Sequence, residues 1–136
     1  MPWIVPAARR RPEGLGLADG RLAACPDKPN CVGSQSDDPA HGVAPLAYAG
    51  DRAEARERLR ALLADDPRAA VVTATDDYLH AEFRAFVFVD DVEFYLPADE
   101  PVVHVRSASR VGHSDLGANR RRVEALREAF AARRPR

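Results

Sequence analysis

Charge of one sign is scarce in this 136-residue chain: 20 basic and 21 acidic residues leave a net charge of −1. A chain so balanced presents no strongly basic field, which argues against a nucleic-acid partner. Long apolar runs are also missing. No stretch nears the ~20 residues that cross a bilayer, so no integral membrane segment is expected. At the N-terminus the apolar Met1–Pro6 precedes Arg9-Arg10-Arg11, the reverse of a secretory leader. As written the chain reads as cytoplasmic, with export only if a leader lies upstream of this start. There is no Gly-rich phosphate loop, nucleophile elbow or zinc-protease motif, and no cofactor is expected. No solenoid-type repeat is present. Cysteine is limited to Cys25 and Cys31, which enclose Pro26-Asp27-Lys28-Pro29-Asn30. That spacing is neither the two-residue gap of redox motifs nor part of a four-ligand zinc set. A structural loop or loop disulfide is the first reading, reactive thiols the second and a metal the last, so no metal site is assigned. Pro26 and Pro29 stiffen the loop under each of them.

What is present describes an ordinary globular chain, 46% hydrophobic and 30% charged. One domain of this length buries roughly 70% of its unfolded surface, enough to fold without cross-links. Residues 1–20 are expected to be a flexible N-terminal segment and 21–136 a single domain. Most Pro and Gly lie in residues 1–50, read as an irregular arm wrapping the domain. Asp51–Ala64 reads as a helix: Asp51 caps it, Glu54 holds the capping-box position, and Ala55, Leu59, Leu62 and Leu63 form one stripe. Asp65-Asp66-Pro67 ends it. A second helix runs from about Gly117 to Arg133, with Leu116, Asn119, Val123, Leu126 and Phe130 at helical spacing. The basic tail Arg133–Arg136 suits its C-terminus electrostatically.

Between the helices, residues 70–107 read as a four-stranded antiparallel meander: 70–75, 78–89, 92–96 and 102–107. Asp76-Asp77 and Asp90-Asp91 are the expected hairpin turns. One face then collects Val72, Ala74, Leu79, Ala81, Phe83, Ala85, Val87, Val89, Val92, Phe94 and Leu96, joined by Val103 and Val105. Alternation assigns Thr73, Thr75, Tyr78, His80, Glu82, Arg84, Phe86, Phe88, Glu93, Tyr95, His104 and Arg106 to the other. The fold class is therefore α+β, with both helices on the apolar face. The polar face is expected to be solvated, or alternatively to form one wall of a pocket closed by the arm.

The segments Asp90-Asp91-Val92-Glu93-Phe94, Arg106–Arg120 (RSASRVGHSDLGANR) and Cys25–Val32 (CPDKPNCV) are long and non-generic. Through them the chain resembles the family called domain of unknown function 1499, over about Gly20 to Phe130. Gly33 stands where that family commonly has serine, and His113 where it commonly has an aromatic residue. The resemblance implies bacterial or plastid relatives, some with leaders or membrane anchors. It implies no activity and no catalytic residues.

The densest chemistry lies in Arg106, Ser107, Ser109, Arg110, Asp115, Asn119 and Arg120. Three guanidinium forks with nearby hydroxyls suit a carboxylate or phosphate. The same arginines can instead lock the sheet to the last helix through internal acids. The two readings differ in one observable, because a ligand site leaves at least one arginine unpaired. His80 and Glu82 are weak candidates for acid–base chemistry, and with His104 for a metal. The leading reading is a non-enzymatic binding or accessory module for a small anion or a protein partner. The alternatives are an enzyme using His80 and Glu82, and a structural or assembly protein.

Overall fold

A computed structural model describes residues 10–133. The apolar N-terminal stretch before Arg10 and the Arg134–Arg136 tail lie outside them. The element order is β1 (Cys31–Gly33), β2 (Leu46–Ala47), α1 (Arg52–Ala64), β3 (Ala69–Ala74), β4 (Tyr78–Ala85), β5 (Phe88–Tyr95), β6 (Val102–Ser109) and α2 (Ala118–Ala132). All strands pair antiparallel, in the order β1-β6-β5-β4-β3, and β2 pairs separately with β6. The fold is α+β. The central meander has the order read from the sequence, and the arm adds β1 and β2 to its β6 edge.

Local chemistry sets the helix ends. The Asp51 carboxylate accepts the Ala53 N–H at 3.3 Å, capping α1. Glu54 meets Arg58 one turn on, at 3.4 Å. At α2 the cap position is Gly117, with φ +83° and no side chain to offer. Asp115 takes over, accepting from Gly117 N at 2.7 Å and Asn119 N at 3.0 Å. Both helices pack on one sheet face. Leu59, Leu63, Val123, Leu126 and Phe130 meet Leu79, Phe83, Val92, Phe94, Val103 and Val105 in one core.

The first hairpin turns at Asp76-Asp77 as expected, with Thr75 N donating to Tyr78 O at 2.8 Å. The second does not turn at Asp90-Asp91. Ala85 pairs with Phe88, so Phe86-Val87 form the turn and both aspartates lie inside β5. Two adjacent aspartates imitate a turn only while they lack partners. Here Asp90 meets Arg122 at 2.6 Å and Asp91 meets Arg110 at 2.8 Å, which makes burial in a strand tolerable. The register moves by an even number of residues, so Leu79, Ala81, Phe83, Val92 and Phe94 keep their face. Val89 passes to the polar face, Phe88 leaves that face for the one shared with Ala85 and Val92, and Phe86 and Val87 go to the turn.

Phe86 has φ +57° and its side chain is wholly exposed. A bulky residue in left-handed space costs roughly 1–2 kcal/mol, a strain glycine avoids. Phe86→Gly is therefore expected to stabilise the protein by about 1 kcal/mol, read as a higher urea midpoint. An unchanged or lower midpoint would contradict this account of the turn.

Candidate functional site

Register places the polar residues of the sheet in three rows. Tyr78 stands opposite Tyr95, which stands opposite His104. His80, Glu93 and Arg106 form the next row, and Glu82, Asp91 and Ala108 the third. Neighbouring strands lie about 4.8 Å apart, so residues in one row touch. Arg110 leaves the end of β6 on the same face and reaches back over Ala108.

This face is not solvated. His80, Glu82, Asp91 and Glu93 are buried. The arm lies over them: Arg11 Nε donates to Glu82 at 2.8 Å, and Gly16 N donates to Glu93 at 2.7 Å. Carboxylates that alternation would leave in water instead serve as anchors for the arm. Residues 10–20 thus include two tethers to the sheet.

Arg110 sits at the centre of the third row. Its Nε donates to Asp91 Oδ2 at 2.8 Å, and one terminal nitrogen donates to Glu82 at 2.5 Å and Asp91 Oδ1 at 2.9 Å. His80 Nε2 meets Asp91 Oδ1 at 2.7 Å, and Arg84 donates to Glu82 at 3.1 Å. Burial raises the Glu82 pKa, but hydrogen bonds from Arg11, Arg110 and Arg84 outweigh it and hold the carboxyl at about 2. Asp91 is also lowered, because Arg110 and His80 overcome the burial that pushes it up.

The ligand atoms of His80, Glu82 and Asp91 lie within 4.8 Å of one another, the separation of a metal-binding set. The Arg110 guanidinium already occupies the cation's place between the two carboxylates. His104, weighed with His80 and Glu82 in the sequence, is not among them. Strand β5 separates it from His80, about 10 Å at two strand spacings. It stacks on Tyr95 and its Nδ1 is 3.0 Å from Ser34 Oγ, while burial lowers its pKa.

The other half of the Arg/Ser motif faces α2. Asn119 is fully buried and donates to Asp115 at 2.7 Å, Ser109 Oγ at 2.9 Å and Asn30 O at 3.1 Å. Its oxygen accepts from Ser107 and Arg122, each at 2.7 Å. Asn30 Nδ2 in turn donates to Gly112 O at 2.8 Å. Burial raises the Asp115 pKa, but the Asn119 amide and backbone N–H groups outweigh it, so the group is lowered. Arg120 bonds the carbonyls of Gly42 and Ala40 at 2.8 and 3.3 Å. The motif thus splits into two networks, one on each side of the sheet.

Arg106 belongs to neither. It is largely buried, yet its nearest carboxylate, Glu93, stands 3.6 Å away, beyond hydrogen-bond distance. It donates to Ala24 O at 3.4 Å, and among the described residues its Nε has no partner. Glu93 spends Oε2 on Tyr78 Oη at 2.5 Å and Gly16 N, leaving Oε1 unbonded. Burial, and then the Glu93 carboxylate, pushes the Tyr78 phenol well above its ordinary value.

Arg106 lines a cavity of about 500 Å³ between the arm and the loop after β1. Gly14, Gly16, Ala18 and Leu22–Cys25 form one wall; Gly33, Gln35–Asp38 and His41 form the other. Cys25 and Cys31 are joined in a disulfide, which ties the arm to β1 beside the cavity. His41 Nδ1 lies 3.0 Å from Cys31 O. Sequence reasoning passed over His41, Gly16 and Arg11, which occupy irregular segments without periodicity. It also did not single out Arg122, which bonds Asp90 and Asn119.

The family model for proteins of unknown function (DUF1499) matches residues 21–130. The chain belongs to that family. No curated protein matches it. Among the described residues no helix is long and apolar enough to cross a membrane.

Arg110 balances two buried carboxylates, so Arg110→Ala is expected to cost roughly 3–5 kcal/mol in urea unfolding. A loss below about 1 kcal/mol would refute a structural role for the cluster. Because the Glu82 pKa falls from 4.5 unfolded to about 2 folded, its contribution is complete above pH 4.5 and fades as the pH drops toward 2. The stability gap between the native protein and Glu82→Gln is expected to narrow across that range. A gap independent of pH would show that Glu82 is not held ionised.

Proposed function

We propose that this domain is a non-enzymatic binding module, and that the cavity between the arm and β6 takes a small anion with Arg106 as its charged contact. One observation carries this reading: Arg106 is a largely buried guanidinium with one long hydrogen bond and one long ion pair. Five N–H donors in a buried position call for acceptors, and an incoming carboxylate supplies two in the fork geometry arginine favours. The cavity's size falls within the usual range for small-molecule sites, about 300–1,000 Å³. Its walls carry Leu22, Ala18, Ala23, Ala24, the disulfide and Val105, which favours a monocarboxylate with a compact apolar body.

Arg110 and Arg120 contribute indirectly, by fixing the sheet and the loop before β2. The enzyme reading has less support. Glu82 accepts from three arginines, and a carboxylate so held is a poor base. The cavity is lined by Arg106 and by neither His80 nor Glu82.

Thermal unfolding with a panel of short branched and aromatic monocarboxylates tests the proposal. At least one member should raise the Tm, by the equivalent of about 2.7 kcal/mol at a hundredfold excess over Kd. The rise should be abolished in Arg106→Ala and reduced in Arg106→Lys, which keeps the charge but not the fork. No rise with any member, or an equal rise in Arg106→Ala, would overturn it. Native mass spectrometry offers an independent reading, since an adduct lost on denaturation gives the ligand's mass.

A further inference from the structure

The end of the sheet where β4 turns into β5 carries apolar side chains that the core does not use. Phe86 is wholly exposed, and Val87 and Phe88 are each more than half exposed. Chain geometry brings a second loop to the same end. Asp90 pairs with Ser109, so the chain leaves β6 beside the hairpin and passes through Leu116, which is 83% exposed. Helix α2 starts there too: Ala118 and Arg121 line a groove with Phe83 and Arg68.

The charges at this end are sorted by depth. Arg11, Arg68 and Arg84 have side chains 57%, 70% and 64% exposed. Their acidic partners lie beneath them, Glu82 at 3% and Asp66 at 20%. Asp90 and Asp91 are likewise covered, and Asp115 is engaged by the start of α2. Outward, this end therefore presents aromatic and aliphatic tips ringed by guanidinium groups.

Backbone strain points the same way. The hairpin turn places Phe86 at φ +57°, where glycine or asparagine is the relaxed choice. A strained, exposed phenylalanine gains nothing from folding, and strain of this kind is typical of contact sites.

We propose that this hairpin tip docks the protein peripherally on an anionic phospholipid surface. Phe86, Val87 and Phe88 would enter the interfacial region, where aromatic and aliphatic groups leave water. Arg11, Arg68 and Arg84 would remain at headgroup level against the phosphates. The charge pattern favours lipid over a protein partner because cations ring the apolar tips while the acids are withdrawn. The proposal is independent of the cavity at Arg106, which lies toward the disulfide and the loop after β1.

Co-sedimentation with vesicles tests it. The protein should pellet with vesicles of phosphatidylcholine and phosphatidylglycerol in equal parts, and far less with phosphatidylcholine alone. Added salt should weaken binding, as screening requires. Phe86→Ser combined with Phe88→Ser should weaken it about a hundredfold, from two aromatic side chains no longer leaving water. Because these side chains are exposed, the double variant should retain its circular dichroism and cooperative unfolding. Arg68→Glu with Arg84→Glu should remove the preference for the anionic vesicles. Absence of binding to either vesicle would overturn the proposal, as would equal binding by the folded serine variant. A dimer in sedimentation analysis that the serine variant abolishes would overturn it in favour of a second copy of the chain.

Discussion

Glu82 and Asp91 stand opposite each other on neighbouring strands, both buried, and two carboxylates so placed repel unless a cation lies between them. Arg110 is that cation, and much of the architecture follows from delivering it. Strand β6 ends at Ser109, immediately before Arg110, and the loop beyond lets its side chain return over Ala108. The hairpin register has to bring Asp91 opposite Glu82. The arm has to lay Arg11 on the remaining face of Glu82. A charge pair of this kind adds little net stability over an apolar filling, but removing one member leaves the others buried and uncompensated. Its effect is to exclude other registers: sliding the hairpin would strand a carboxylate without its arginine.

Strand alternation then explains how one short motif serves two sides of the sheet. Along β6, Ser107 and Ser109 face α2 while Arg106 and Ala108 face the arm. The adjacent Asp90 and Asp91 divide in the same way, one to Arg122 of the helix and one to Arg110. A peptide rich in arginine, serine and aspartate looks in one dimension like a single binding cluster. Pleating separates it into a polar seam under the helix and an ionic seam under the arm.

That separation marks how far the sequence could be read. Helix α1 was legible because capping and apolar periodicity agreed at Asp51 and along Ala55–Leu63, and α2 from the spacing of Asn119, Val123, Leu126 and Phe130, although Leu116, read on the same stripe, lies before the helix and is exposed. The faces of Leu79, Ala81, Phe83, Val92 and Phe94 were legible from alternation. The position of the second turn was not. Asp-Asp outweighed Phe-Val as a local turn signal, and the competing term, pairing with Arg110 and Arg122, acts between residues distant in sequence. Cover of the polar face by the arm was legible only as the alternative to a solvated face, since an irregular arm carries no period to reveal what it covers. Among the candidates, His80 and Glu82 did fall together, with Asp91 rather than His104, because only the true register sets the rows.

Arg106 and Arg110 offer a controlled comparison within one molecule. They are the same residue type, four apart, on the same face, and both largely buried. The row beneath Arg110 contains two carboxylates, and their oxygens accept its donors at 2.5–2.9 Å. The row beneath Arg106 contains one, Glu93: Tyr78 and Gly16 bond its Oε2, and its Oε1 stands 3.6 Å from Arg106, beyond hydrogen-bond distance. The sheet therefore brings carboxylate oxygens within hydrogen-bond distance of one arginine and not of the other. A guanidinium pays a desolvation cost in either position, and only Arg110 recovers it within the described fold. Under the proposed function, an anion in the cavity that Arg106 lines would complete it. The difference between the two arginines lies in the acceptors at hand.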